Sequence, residues 1–304
     1  MRTRPHSDDV DGDARLRFRG LFAFLTCLFV FALSQSSFAQ GKVPLAPEGT
    51  GADTHLFRPP VDSKGFLSTN GADIVGHLDF SLGLFLDYAY GILPTTQGEN
   101  SDHGEHLLQH SFQGTLQFDL GIANILVVGL SAPVVLAGHE RVEDIGPTGA
   151  LYTSEADFAQ GIEHVAAHAK VRIIRPLDRP SIGLAAIVQG GVGVSGTDNL
   201  IAENGGFIWP QMVFEGRPLD DAALRIGLNG GFRASFGGTP ASYGVDENGV
   251  PVLAHGIFEY GQLVTAGLGL SYRVAEPLDV VADTYSTILV TGENAPAQRV
   301  SAEA

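Results

Sequence analysis

The chain has 304 residues, with 18 basic against 34 acidic side chains and a formal net charge of −16. That balance argues against a phosphate-binding surface, so nucleic acid is not an expected partner. The single cysteine, Cys27, lies in an apolar run near the N-terminus, which leaves no disulfide framework, thiolate chemistry or Cys-ligated zinc for the rest of the chain.

Residues 1–39 read as a signal peptide. Arg15, Arg17 and Arg19 lead into the apolar run Leu21 to Leu33, and Ser37-Phe38-Ala39 offers small residues at both cleavage-specificity positions. Asp8, Asp9, Asp11 and Asp13 dilute the leading positive charge, which points to a translation start further on. A membrane anchor is the competing reading, but the apolar run is short for a helical span. Cleavage after Ala39 removes five Arg and four Asp and takes the net charge from −16 to −17. Residues 40–76 are rich in Pro, Gly and Asp and have no clear period. They are expected to form a periplasmic lead-in, partly docked on the strands after it.

From 77 to 291 the chain alternates with a period of two, and about nine strand-like segments emerge. In the first, Leu78, Phe80, Leu82, Leu84, Leu86, Tyr88 and Tyr90 share one face, and Asp79, Ser81, Gly83, Phe85, Asp87, Ala89 and Gly91 the other. Ser111 to Ile122 repeats this, with Phe112, Leu116, Phe118 and Leu120 opposite Gln113, Thr115, Gln117 and Asp119. Further segments run Ile125 to Leu136, Glu163 to Ile174 (His164, His168, Lys170 and Arg172 inward), Ile182 to Val194, Trp209 to Arg217, Ala222 to Arg233 (Arg225, Asn229 and Arg233 inward), Glu259 to Arg273, and from Leu278 onward. These segments exceed an ordinary strand of about five to six residues. The pattern predicts an all-β fold: a transmembrane, up-and-down antiparallel β-barrel of outer-membrane type, apolar toward lipid and polar toward a lumen.

Connector lengths support it. Long connectors (Ile92 to His110, Gly138 to Ile162, Gly196 to Phe207, Ser235 to Ile257) alternate with short ones (Ala123-Asn124, Pro176 to Ser181, Pro218 to Asp221, Ala275 to Pro277), as outer loops and periplasmic turns require. Tyr88, Tyr90, Phe112, Trp209 and Tyr260 fall at expected outer strand ends and Tyr272 at an inner end, the heights of an aromatic girdle. Nine strands would leave an unpaired edge in lipid, and 292–304 is a polar tail, so a truncated barrel is expected.

The stretch Leu56-Phe57-Arg58-Pro59-Pro60-Val61-Asp62-Ser63-Lys64-Gly65, followed by Leu78 to Tyr88, resembles the N-terminal barrel of large bacterial OmpA-family outer-membrane proteins. So does Phe112 to Leu136, with its Asn124 turn and Val128-Gly129-Leu130. The resemblance covers most of the chain after the leader. In that family acidic calcium-binding repeats and a peptidoglycan-binding domain typically follow the barrel. Neither is present in this sequence, so peptidoglycan becomes a partner only if a C-terminal domain is missing.

The inward charges form the main candidate site: Asp79, Asp87, Asp119, Lys170, Arg172, Glu215, Arg225 and Arg233. Such a lumen either plugs itself with ion pairs or holds a field across a water-filled pore. Asp102, His103, Glu105 and His106, with His110 close by, are a weak metal or catalytic candidate. Gly104 breaks the His-Glu-x-x-His spacing, and an outer loop is polar anyway. No cofactor and no enzymatic activity are expected. The expected role is structural, in the cell outer membrane among its lipid and lipopolysaccharide, with slow non-specific porin-like solute passage. The alternatives are an outer-membrane hydrolase using the Asp102/His103 loop, and a surface adhesion barrel using the long loops.

Overall fold

Period-two alternation becomes antiparallel strand throughout the computed structural model, which describes residues 55, 57–94, 106–139, 143–145, 151–153, 158–194, 202–203, 205–236, 242–245, 251–254, 262–290 and 301–303. All of these lie in the unit Pro44–Ala304. The signal peptide expected over 1–39 lies outside the described residues.

In chain order the strands are β1 (Phe80–Pro94), β2 (His106–Ile122), β3 (Leu126–His139), β4 (Glu143–Ile145), β5 (Leu151–Thr153), β6 (Phe158–Ile162), β7 (His164–Ile174), β8 (Ser181–Gly193), β9 (Gly206–Arg217), β10 (Leu224–Ser235), β11 (Ser242–Val245), β12 (Pro251–Ala254), β13 (Leu263–Ala275), β14 (Leu278–Leu289) and β15 (Ser301–Glu303). One curled half-barrel sheet takes the order β1-β2-β3-β7-β8-β9-β10-β13-β14-β15, with β6 also on β3. Sequence neighbours are spatial neighbours and every pairing is antiparallel. Among the described residues, β1 pairs only with β2, so the curl is open between β1 and the β14–β15 side. Two separate hairpins, β4–β5 and β11–β12, stand in two of the long connectors. The described residues contain no α-helix, only a 3-10 turn at Asp220–Ala222.

Each of the nine expected segments coincides with a long strand, and local geometry explains the shifted ends. β1 starts at Phe80 because Leu78 has a left-handed φ of 62°. Ala222 belongs to the 3-10 turn, also with positive φ, so β10 begins two residues later. Ala123 and Asn124, with φ of 54° and 55°, form the two-residue turn that suits the right-handed twist of a hairpin, closed by Ile125 N–H donating to Ile122 O at 3.1 Å. Between β6 and β7 the register against β3 slips by one residue, from Val134↔Ile162 to Ser131↔Ala166. The slip falls beside Pro133, which has no N–H to give, and its bulge puts Glu163 and His164 consecutively on the buried side.

The two faces are inverted relative to a water-soluble sheet. Outward residues such as Leu82, Leu84, Leu86, Leu130, Val188, Met212, Leu228, Leu268 and Leu270 are exposed, Leu84 at 61 %. Inward residues such as Gln113, Thr115, Gln117, Asp119, His168, Lys170 and Glu215 are buried, with Lys170 and Glu215 at 0 %. Soluble monomers rarely expose a contiguous apolar patch above a few hundred Å²; here nearly every long strand contributes to one.

Residues 57–76 cover the concave face, and the lead-in expected here is an inner layer. Small apolar clusters fix it to the wall: Val61 and Ala72 with Ala185, Ile187 and Val213, and Ile74 and Val75 with Val127.

Candidate functional site

The site is the interface between segment 57–76 and the concave wall. The segment folds back on itself first. Asn70 Oδ1 accepts the Val61 N–H at 2.8 Å, and Phe66 N–H donates to Thr69 O at 2.8 Å. This compact loop then meets strands from one side of the sheet to the other.

Asp62 is the central contact. Its Oδ2 lies 2.8 Å from Lys170 Nζ on β7, with both side chains fully buried, and its Oδ1 accepts the Lys64 N–H at 3.0 Å. Asp73 pairs with Arg172 at 2.8 Å and lies 3.7 Å from Arg217. Glu215 is held between Arg217 (2.8 Å) and Arg225 (3.0 Å), and its other oxygen accepts the Ala72 N–H at 2.8 Å. On β14, Asp283 Oδ2 accepts three successive amides, from Leu67, Ser68 and Thr69, at 2.9, 2.5 and 3.1 Å. At the other end Arg58 is 3.4 Å from Glu163, which also pairs with His164 at 2.8 Å. Gln117 Nε2 donates to Pro60 O, and His55 joins Asp87 on β1 and Ser111 on β2. A buried charge is tolerable only when paired and hydrogen-bonded; the segment supplies that partner to Lys170, and wall arginines supply it to Glu215.

Wall glycines make room for it. A methyl group on Gly183 would stand 2.9 Å from Ala72 Cβ, and one on Gly269 2.7 Å from the Phe66 ring. Gly227 faces the same ring, while Gly121 faces the backbone of Gly76. Phe66 thus sits in a slot floored by two glycines and roofed by the Arg225 guanidinium, 4.9 Å from the ring centre.

A cavity of about 10 Å³ remains between segment and wall, lined in part by Asn70, Gln189, Trp209, Gln211, Asn229 and Thr265. That is about the room one water molecule needs. Three polar atoms around it, Thr69 Oγ1, Gln211 Nε2 and Asn229 Oδ1, have no hydrogen-bond partner.

Seven of the eight expected inward charges sit on this face. Asp119 lies 3.0 Å from His168 and accepts the Ser81 hydroxyl, Arg233 pairs with Glu203, and the remaining five make the contacts above. The eighth, Asp79, stands at the rim: it is exposed just before β1, its carboxylate lies against Gly76, and its carbonyl accepts the Gly121 N–H at 2.9 Å.

Of the expected girdle, Tyr88, Tyr90, Phe112 and Tyr272 are exposed on the outward face, with the Tyr88 hydroxyl 2.6 Å from His110 Nδ1. Trp209 is a correction. It is 6 % exposed and points inward, its indole N–H donating to Thr265 Oγ1 at 3.1 Å beside Tyr285 and Phe207. In β9 the odd residues Phe207 to Arg217 face in, and Trp209 shares their parity. Tyr260 lies outside the described residues, as do Asp102, His103 and Glu105. His106 opens β2, paired to Pro94. Among the described residues no group of three or more His, Cys, Asp or Glu could hold a metal ion.

Sequence reasoning missed the wall's inward apolar residues, Val127, Ile187, Val213 and Trp209. An apolar residue on an otherwise polar face signals that something covers it, and here it is the chain's own segment. No protein-family model matches the chain, and no curated protein matches it.

Proposed function

We propose that this chain is a membrane-embedded β-sheet protein of the outer membrane with a structural role, inserted among lipid and lipopolysaccharide and without enzymatic activity. The observation that carries the reading is the inversion of the sheet: an apolar convex face around a polar, ion-paired interior. Water would penalise the convex residues by about 25 cal/mol for each Å² exposed, whereas acyl chains do not. The dimensions agree. Outward apolar residues of β13 run from Val264 to Tyr272. Eight steps of about 3.3 Å, tilted by about 40°, span roughly 20 Å, close to the apolar band of about 25 Å on outer-membrane barrels. The seated segment, leaving room for one water, favours a structural role over free solute passage.

Refolding the chain after removal of the leader tests this. The proposal expects it to need detergent or lipid, to migrate differently on gels before and after boiling, and to fractionate with outer membrane. Folded, monodisperse protein in plain buffer would overturn it.

A further inference from the structure

We propose that segment 57–76 is a plug: a self-ligand seated on a path for small hydrophilic solutes, which conducts only when the segment is displaced. The inference rests on the membrane reading above.

Three observations support it. Many contacts between segment and wall are polar, of the kind that water or a polar solute takes over once the segment has left. They include the ion pairs Asp62–Lys170, Asp73–Arg172 and Arg58–Glu163, the Ala72 amide on Glu215 and the amide fan on Asp283. Without the segment, much of the wall keeps its own partners: Glu215 stays with Arg217 and Arg225, Glu163 with His164, and Asp119 with the Ser81 hydroxyl. The wall glycines, Gly183, Gly227, Gly267 and Gly269, would then leave a smooth trough where Ala72, Phe66 and Thr69 now sit. Departure uncovers Lys170, Arg172 and Arg217 on one arm, and Glu163 and Asp283 on others. Both signs are present, so the path would discriminate weakly by charge and admit small solutes of either sign.

The test uses the whole chain after its leader, in planar bilayers with KCl on both sides. Three proteins are compared: the unmodified chain, Asp62→Lys, and the charge exchange Asp62→Lys/Lys170→Asp. The first should be almost silent. Asp62→Lys sets two cations against each other in a site of zero exposure and should raise the open population about a hundredfold. The exchange should restore silence. If Asp62→Lys does not insert, Asp73→Asn, which leaves the buried pair intact, takes its place and should give a smaller rise. Insertion with all variants silent, or with all conducting alike, overturns the plug while leaving the membrane reading standing. An unmodified chain that stays folded in water and never enters the bilayer removes both.

Discussion

The Asp62–Lys170 pair makes a quantitative demand. Lys170→Met removes the cation that Asp62 pairs with and leaves its carboxylate with the hydrogen bond from the Lys64 amide. With both side chains at zero exposure, water cannot replace the lost partner, and breaking such a pair costs about 3–5 kcal/mol. Asp62→Leu should cost a similar amount by stranding the ammonium. The double substitution Asp62→Leu/Lys170→Met strands neither charge. It loses about 1 kcal/mol with the Lys64 hydrogen bond and should fall within about 2 kcal/mol of the parent. Urea unfolding of the refolded protein in detergent micelles reads this through Trp209, the only tryptophan of the chain. A Lys170→Met loss below about 1 kcal/mol, or a double variant as unstable as the two singles combined, would refute the claim that segment and wall form one buried ionic interface.

Further outcomes rest on individual side chains. Trp209 faces the segment, so brominated acyl chains should barely quench its emission; strong quenching would place it at the lipid surface. Phe66→Ala empties the slot over Gly227 and Gly269 and should cost about 3–5 kcal/mol in the same urea assay. Gly269→Val, which drives a side chain into that ring, should destabilise by at least about 1–3 kcal/mol, and the Phe66→Ala background should relieve it. Leu268→Arg on the convex face should lower stability in vesicles by about 2–4 kcal/mol. In protein prepared without residues 1–39, and so without Cys27, Ala72→Cys/Gly183→Cys should cross-link on mild oxidation, since a β-carbon added at Gly183 falls beside that of Ala72. Absence of the cross-link would argue that the segment sits elsewhere.

The wall was legible in the sequence because period-two alternation writes both faces of every strand directly. Leu82, Leu84 and Leu86 against Ser81, Gly83 and Asp87 determine outward and inward without knowledge of any partner. Connector lengths supplied the order of the strands. The inner layer was harder to read. Residues 57–76 have no period, because they form a folded loop held by Asn70 and Asp62, and their contacts are spread over several strands. Their partners, such as Lys170 and Asp283, are more than a hundred residues away. Trp209 was misplaced for a related reason. Amphipathic rings at strand ends suit an interface, but parity along β9 sends this one inward, and the irregular pattern around Pro210 hid that parity.

The outward face of β13 tests the central claim most directly. Nitroxide labels placed one at a time at Val264, Ala266, Leu268 and Leu270, in protein reconstituted into vesicles, report oxygen against a water-soluble nickel complex. A lipid-facing strand requires high oxygen and low nickel accessibility at all four positions, deepest near Leu268. Free access of nickel to these positions in the folded protein would contradict it.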